Sequence, residues 1–556
     1  CMPIDHEWAQ DADSSIFDAS ADDSEQQTAL GITDEQLFPN TKIYRDFKFG
    51  DKIHLLMTDY RTHRPDHLIP EEAFPGVVAL TEEQLIPTLI ASGTLASSGI
   101  PATTSVTDAV AVATAQGAAR SLFDKYIDID DVQYFNQKYM AILAATSSYE
   151  AAAGGKMTAA QANTLAIEQV AGMQSVSFIN LLLNGGLDTF KTLGLLASTT
   201  TIEDIAIVAP DDAKAGISYF ILGKTSFISE IGSRYNVVKD TFDLLAFYKT
   251  AIAGSTANPY GVVDGNDQMT WISTQLQSSV ATQNWRILGS SVSFSPLIQD
   301  LRPSSSGRPA ITGADITAAT GVTGAVADGT AAAYEGVMNQ IVDGLLEDPF
   351  TALLANRFYL NVDHWDGFPI YKAGLMSNPA GTDVFGQTGV ITIAGDIHSS
   401  YVGKQPLSSN GTTRSFDMTT SSISSGTFSQ FMTGALDSIL SSLDADTVAS
   451  LTATGAIGFL KDNWSVIVQT ASGSANAGSS NTELKRARLN EHGVVTVVAN
   501  TNNTIDFTYH AVPDGDSIAD GADDLVKTSF YNNVDTFLGN VTKTTYRIEN
   551  NDISEV

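Results

Sequence analysis

Val390-Ile391-Thr392-Ile393-Ala394-Gly395-Asp396-Ile397-His398 is a continuous apolar run that ends in a glycine and a carboxylate. A strand apolar on both faces belongs in the interior of a parallel sheet covered by helices. In such sheets ligand-binding groups sit beyond the carboxyl ends of the strands, where Asp396 and His398 fall. In an extended loop, residues i and i+2 project to the same side, so both side chains can face one ion. A carboxylate and a neutral imidazole suit a hard or borderline divalent or trivalent cation. Taken alone, Gly-Asp-x-His after a strand is as compatible with a structural loop as with a ligand loop.

Working outward, Trp285-Arg286-Ile287-Leu288-Gly289 before Val292 to Leu297 has a similar compact apolar texture. Upstream, Tyr44 to Asp51 and Ile53-His54-Leu55-Leu56-Met57 predict a strand pair joined at Gly50-Asp51. Between these blocks the character changes. Ala, Thr and Ser dominate from 81 to 275, with helical spacing near 106–122, 133–153, 158–183 and 240–253, and some strand near 205–238. The apolar faces of these helices predict packing surfaces. The Gly/Ala/Thr stretch at 307–333 predicts a loop, followed by a helix from about Ala331 to Leu346. Ser- and Gly-rich runs at 407–427 and 471–481 predict loops, and late strands are expected at Val494–Ala499 and Thr504–His510. The last 40 or so residues are polar and acidic.

A chain of 556 residues is too long for one compact domain. With 63 acidic against 30 basic residues its formal charge is -33, which repels nucleic acid and anionic lipid. Such a surface fits a highly soluble protein of a salty or extracellular setting, or carboxylates that collect calcium; neither identifies a substrate. Cys1 is the only cysteine, so no intrachain disulfide forms. The longest apolar stretches, such as Phe178 to Leu183, are too short to span a bilayer. A chain that opens on Cys1 predicts a preceding segment that has been removed or left out.

Eight histidines allow each context to be read singly. Asp5-His6-Glu7 places three metal-capable side chains together, a pattern that also serves as the charged start of a helix. The order of blocks along the chain then resembles the PhoD-like (alkaline phosphatase D) family of metallophosphoesterases. Asp5-His6-Glu7 resembles the family's Asp-His-Glu block, and Tyr44 to Arg61 its Phe-Gly-Asp … Asp-x-Arg strand pair. Trp285 to Gly289 with Ser293-Phe294-Ser295-Pro296-Leu297 resembles the next block. Asp363-His364-Trp365-Asp366-Gly367-Phe368-Pro369 resembles the Trp-Asp-Gly-Tyr/Phe-Pro block, and Gly395 to Ser400 the final metal block. Leu484 to Val498, with Glu491-His492-Gly493, resembles the closing strand pair. These blocks cover roughly 1–75, 280–400 and 482–512.

The resemblance implies an α/β fold: a metallophosphoesterase-like two-sheet sandwich flanked by helices, with a large mainly helical insertion. The expected organisation is a first core part at 1–80, the insertion at 81–275, a second core part at 276–515, and an acidic tail or cap at 516–556. The implied activity is extracellular or periplasmic hydrolysis of a phosphate-ester substrate, mono- or diester, by metal-activated water. The implied cofactors are divalent or trivalent ions, calcium and iron in this family. Asp5, Asp396 and His398 would be metal ligands, and His6 a general acid or transition-state stabiliser near the leaving-group oxygen. Arg61 would meet the phosphate through its planar fork, or pair with Asp59 or Asp66 instead. Glu7, Asp363, Trp365 and Asp366 would line the pocket or stand behind it, Trp365 as packing and Asp366 as support behind the ligands or as a calcium ligand.

The family's upstream cysteine, aspartate and Gly-Asp-x-x-Tyr block are not in this sequence, Cys1 stands in the wrong place to be that cysteine, and Ile4 replaces an expected Asp. The expectation is therefore a site completed by a cleaved N-terminal fragment or by further subunits. The alternatives are a catalytically degenerate structural or assembly protein on the same fold, and a calcium-stabilised adhesin without pocket chemistry.

Overall fold

The computed structural model describes residues 44–60, 68, 77–119, 124–153, 157–221, 237–252, 266–279, 282–347, 355–368, 372, 390–406, 414–423, 427–428, 437, 440, 445–453, 466, 484–513, 541–549 and 552–556. Asp5, His6, Glu7 and Arg61 lie outside the described residues, as does the 471–481 run.

Seven strands form the principal sheet: β1 (Arg45–Phe49), β2 (Ile53–Met57), β3 (Trp285–Gly289), β4 (Val390–Ala394), β5 (Ser400–Pro406), β6 (Arg414–Thr419) and β7 (Leu484–Arg488). Their spatial order is β1-β2-β3-β4-β6-β5-β7. The expected hairpin is present, with Arg45 opposite Met57 and Phe49 opposite Ile53. Its turn uses Gly50 at φ 57°, a left-handed conformation that costs glycine nothing. β2, β3, β4 and β6 run parallel, so their carboxyl ends share one edge. β5 returns antiparallel and carries β7 beside it. As its apolar sequence predicts, β4 sits in the middle of this parallel set.

A second sheet is a four-stranded antiparallel meander: β8 (Glu491–Ala499), β9 (Ile505–Pro513), β10 (Thr542–Glu549) and β11 (Asp552–Glu555). Alternation along each strand gives the two sheets facing apolar surfaces. Trp285, Ile287, Ile391, Val402, Phe416 and Met418 form one buried cluster with Ile505, Phe507, Tyr509, Tyr546, Ile548 and Ile553. Tyr509 donates its hydroxyl hydrogen to the carbonyl of Tyr401 at 3.0 Å, satisfying a buried polar tip. The opposite face of the principal sheet presents Leu56 and Leu288 to Ile272 and Leu276 of the helix Asn266–Ser278. The helices Gly313–Thr320, Gly324–Leu346 and Ala445–Ala453 contribute a further cluster that reaches Ile397, Tyr401 and Ala487.

Three local expectations need correction. The Gly/Ala/Thr stretch at 307–333 is largely helical. Thr312 caps the first helix reciprocally with Asp315, and alanines favour what the glycines oppose. The 407–427 run contains β6, because Phe416 and Met418 alternate with Ser415 and Asp417 and the even positions enter the inter-sheet core. The acidic C-terminal segment supplies β10 and β11, whose Tyr546, Ile548 and Ile553 are buried.

The Ala-rich segment has a core of its own. Helices Phe135–Ala153, Ala159–Val170 and Val176–Thr192 pack through Ala141, Ala144, Ala162, Ala166, Ile179, Leu183 and Phe190. An unbroken helix over 158–183 is not formed: Gly172 turns left-handed at φ 71°, and Met173–Ser175 becomes a strand. That strand joins Val77–Thr81, Asp124–Asp128 and Lys214–Ile221 in a four-stranded sheet. Gly186 is required where two helices touch, since a β-carbon there would stand 2.7 Å from Cβ of Ala144. No helix among the described residues is long and apolar enough to cross a membrane.

Candidate functional site

At the shared carboxyl edge of the parallel strands, four connections come together: Thr58–Tyr60 after β2, Ser290–Leu297 after β3, Gly395–Ser399 after β4 and Thr420–Ser421 after β6. Backbone bonds stitch them, with Thr58 N–H donating to Gly289, Ser290 N–H to Ile393, and Thr420 N–H to Ala394, each at 2.9 Å. The sheet thereby fixes where each loop begins.

The loop after β4 is not extended, so the reason for placing Asp396 and His398 on one side needs revision. Both adopt left-handed backbone, at φ 72° and φ 57°. Asn503 is the other non-glycine residue with positive φ among the described residues, so this conformation is concentrated in one loop. Such conformations cost of order 1 kcal/mol or more each and persist where the surroundings enforce them. Here Ile397, 3% exposed, anchors the loop in the core between them. The carbonyl of His398 accepts from Phe428 N–H at 3.0 Å.

Facing this loop is His364, a residue that sequence reasoning passed over in favour of its neighbours. It is fully buried, and its Nε2 stands 3.8 Å from Oδ2 of Asp396, whose side chain is 40% exposed. Tyr60 holds the His364 main chain by donating its hydroxyl hydrogen to the carbonyl at 2.8 Å. Asn361 fixes the ring. Its Oδ1 accepts from Asp363 N–H at 3.0 Å, which turns the amide nitrogen toward His364 Nε2, also at 3.0 Å. In that orientation the amide N–H donates and Nε2 accepts. The legible signal was a histidine inside the Asp363-His364-Trp365-Asp366 block, three residues after an asparagine.

The other candidates from this block support the site from behind. Trp365 is buried, stacks on Phe294 with centroids 4.4 Å apart, and leans on Tyr60 at 4.7 Å. Its indole N–H donates to Ser290 Oγ at 3.1 Å. Asp366 is committed elsewhere: Oδ1 accepts from Lys372 Nζ at 3.1 Å, and Oδ2 from Leu297 N–H at 3.3 Å. Lys372 also donates to the Phe294 carbonyl at 2.7 Å. Asp363 is buried with its backbone bound to Asn361. Beneath them, Asp417 of β6 is fully buried and accepts from Ser295 N–H, Ser295 Oγ, Thr392 Oγ1 and Thr419 Oγ1. Burial pushes its carboxyl above the usual carboxylate range, partly offset by these donors.

The donor chemistry present is a carboxylate beside imidazole, which fits a cation. Yet among the described residues no three His, Cys, Asp or Glu side chains gather as a metal site. Asp396 and His364 are brought together, His398 shares the Asp396 loop, Asp363, Trp365 and Asp366 stand behind them, and Asp5, His6, Glu7 and Arg61 fall outside the described set.

Residues 240–505 match the family model of PhoD-like phosphatases, a span that runs from before β3 into β9 and contains His364, Asp396 and His398. A solved structure of PhoD aligns at 11% identity and a TM-score of 0.24, covering 53% of this chain and 35% of that one. The chain therefore spans about a third of that protein's length. No curated protein matches.

Proposed function

From a chain that carries a PhoD-like phosphatase region over residues 240–505, we propose a metal-dependent phosphoesterase, acting outside the cytoplasm on phosphomonoesters or phosphodiesters. The observation that carries this reading is the strained loop bearing Asp396 and His398 at the shared carboxyl edge of four parallel strands, opposite a buried His364. The two-sheet core with flanking helices agrees with a metallophosphoesterase-type sandwich.

In this proposal Asp396 and His398 are the chain's own metal ligands, joined by Asp5. When bound, such ions lower the pKa of water toward neutrality and neutralise charge on the phosphoryl oxygens; calcium and iron are the ions proposed. The left-handed loop presents Asp396 to solvent while Ile397 holds its backbone. His364 is a positioning residue. Buried beside the loop with its Nε2 3.8 Å from Oδ2 of Asp396, it helps set where that carboxylate sits. His6 as general acid and Arg61 as phosphate fork complete the assignment; a well-placed acid contributes roughly 10²–10⁴ in rate.

Purified protein should hydrolyse p-nitrophenyl phosphate or its bis-ester, lose activity with a chelator and regain it with calcium and iron. Asp396→Asn and His398→Ala should each reduce kcat/KM by at least about 100-fold, the scale of losing one electrostatic contact to the reacting group. Full activity in both variants would remove the assignment.

A further inference from the structure

The Ala-rich segment carries a surface the phosphoesterase reading leaves unused. A cavity of about 170 Å³ is lined by Tyr126, Asp128, Asp131, Tyr134, Pro210 and Asp212, among others. Beside it in the chain, Val132, Phe135 and Tyr139 fall on one side of the turn and helix that follow, at 88%, 69% and 54% exposure. Val208, two residues before Pro210, is 86% exposed. Single exposed apolar side chains are ordinary, but several standing close in sequence to the lining residues Asp131, Tyr134 and Pro210 mark an interaction surface.

The charge around this patch selects the occupant. Lys138 is engaged by Asp130. One oxygen of Asp128 accepts from Asp130 N–H, and one of Asp131 from Gln133 N–H, at 3.0 and 3.1 Å. Among the described residues, Asp128, Asp131 and Asp212 have no basic side chain as partner. The Tyr134 phenol is pushed up, by burial first and then by the negative charge of Asp131 and Asp212, so both carboxylates act on the same spot. A second copy of this chain, at formal charge -33, is repelled from such a surface.

We propose that this face docks a peptide segment of another protein that pairs a Lys or Arg with a neighbouring aromatic or aliphatic residue. The basic side chain enters between Asp128, Asp131 and Asp212, with the tyrosine rings alongside. The apolar neighbour covers Phe135 and Val132.

The test uses a random peptide library displayed on phage, selected on the full chain and counter-selected on the Phe135→Ser/Asp212→Asn variant. Enriched peptides are synthesised and measured by fluorescence anisotropy. The expected sequences combine a basic residue with an apolar one. Their affinity should fall about tenfold or more with Asp131→Asn/Asp212→Asn, and similarly with Phe135→Ser, and should weaken with salt. Phe49→Ser, at an exposed position of β1, should leave binding unchanged. The proposal is overturned if no sequences converge, if they are acidic or purely apolar, or if neither site variant changes affinity. It is also overturned if sedimentation velocity finds self-association of the wild type that Phe135→Ser abolishes, which would give the face to a second copy.

Discussion

Lys372→Met is the most informative single perturbation of the machinery behind the site. Lys372 and Asp366 form an ion pair with side chains only 15% and 6% exposed, so neither charge is well solvated. Removing the ammonium leaves the Asp366 carboxylate buried with one backbone donor, from Leu297, and deprives the Phe294 carbonyl of its lysine donor. Breaking a buried pair from one side costs about 3–5 kcal/mol, mostly as uncompensated charge. Asp366→Asn in the same chain removes that charge while keeping an oxygen for Leu297 N–H. The double variant should therefore recover about 2 kcal/mol or more relative to Lys372→Met alone. Urea unfolding followed by tryptophan fluorescence measures both differences from the midpoints and slopes. The reasoning fails if Lys372→Met costs less than about 1 kcal/mol, or if adding Asp366→Asn brings no recovery.

Asp396→Gly should abolish phosphatase activity while leaving stability unchanged or raised by up to about 1 kcal/mol, because glycine relieves the φ of 72°; a marked loss in thermal unfolding temperature would contradict this. Gly367→Ala should destabilise by about 3 kcal/mol, the upper end of ordinary overpacking, since its β-carbon would lie 1.7 Å from the Val362 carbonyl oxygen; circular dichroism during denaturation would register it. Burial raises the Asp417 carboxyl in the folded chain, so the folded state holds this proton where the unfolded chain has released it. Its stabilising contribution is thus complete below the usual carboxylate range and is lost as pH rises through the folded value. Asp417→Asn should flatten that part of the stability–pH curve, and an unaltered curve would show that Asp417 does not titrate there. His364→Gln should shift the pH profile of kcat more than it changes KM, whereas a purely structural role would lower stability without moving the profile.

The principal sheet was legible where one strand carried a complete local signal. Val390–Ala394 is apolar at every position but Thr392, and it is the central strand; Tyr44 to Met57 declared its hairpin through alternation and Gly50. β6 was hidden because its two core residues, Phe416 and Met418, are embedded in Ser and Thr, and burial of Asp417 among hydroxyls has no local signature. β10 and β11 were hidden because polar residues on their outer face outnumber Tyr546, Ile548 and Ile553. The site shows the same division. Asp396 and His398 stood out by following an apolar strand. His364 became visible only through Tyr60 and Asn361, contacts that depend on chain segments brought together by the sheet. The conformation of the 395–398 loop was not legible, since Asp and His tolerate left-handed backbone better than most residues but adopt it in only a small minority of positions, so nothing local selects it.

The pairing of β2 with β3 also sets a schedule for biosynthesis. Thr58 binds Gly289 across a separation of 231 residues, so the hairpin leaves the ribosome long before the strand that will cover its inner edge. At about 5–20 residues per second that interval lasts on the order of 10–45 s. Throughout it, Leu55 and Leu56 sit on a strand whose main-chain donors and acceptors are open to any passing chain, while the alanine-rich helices acquire their own core first. Chaperone occupancy during translation should therefore peak between emergence of Met57 and emergence of Gly289, and fall once the latter clears the exit tunnel.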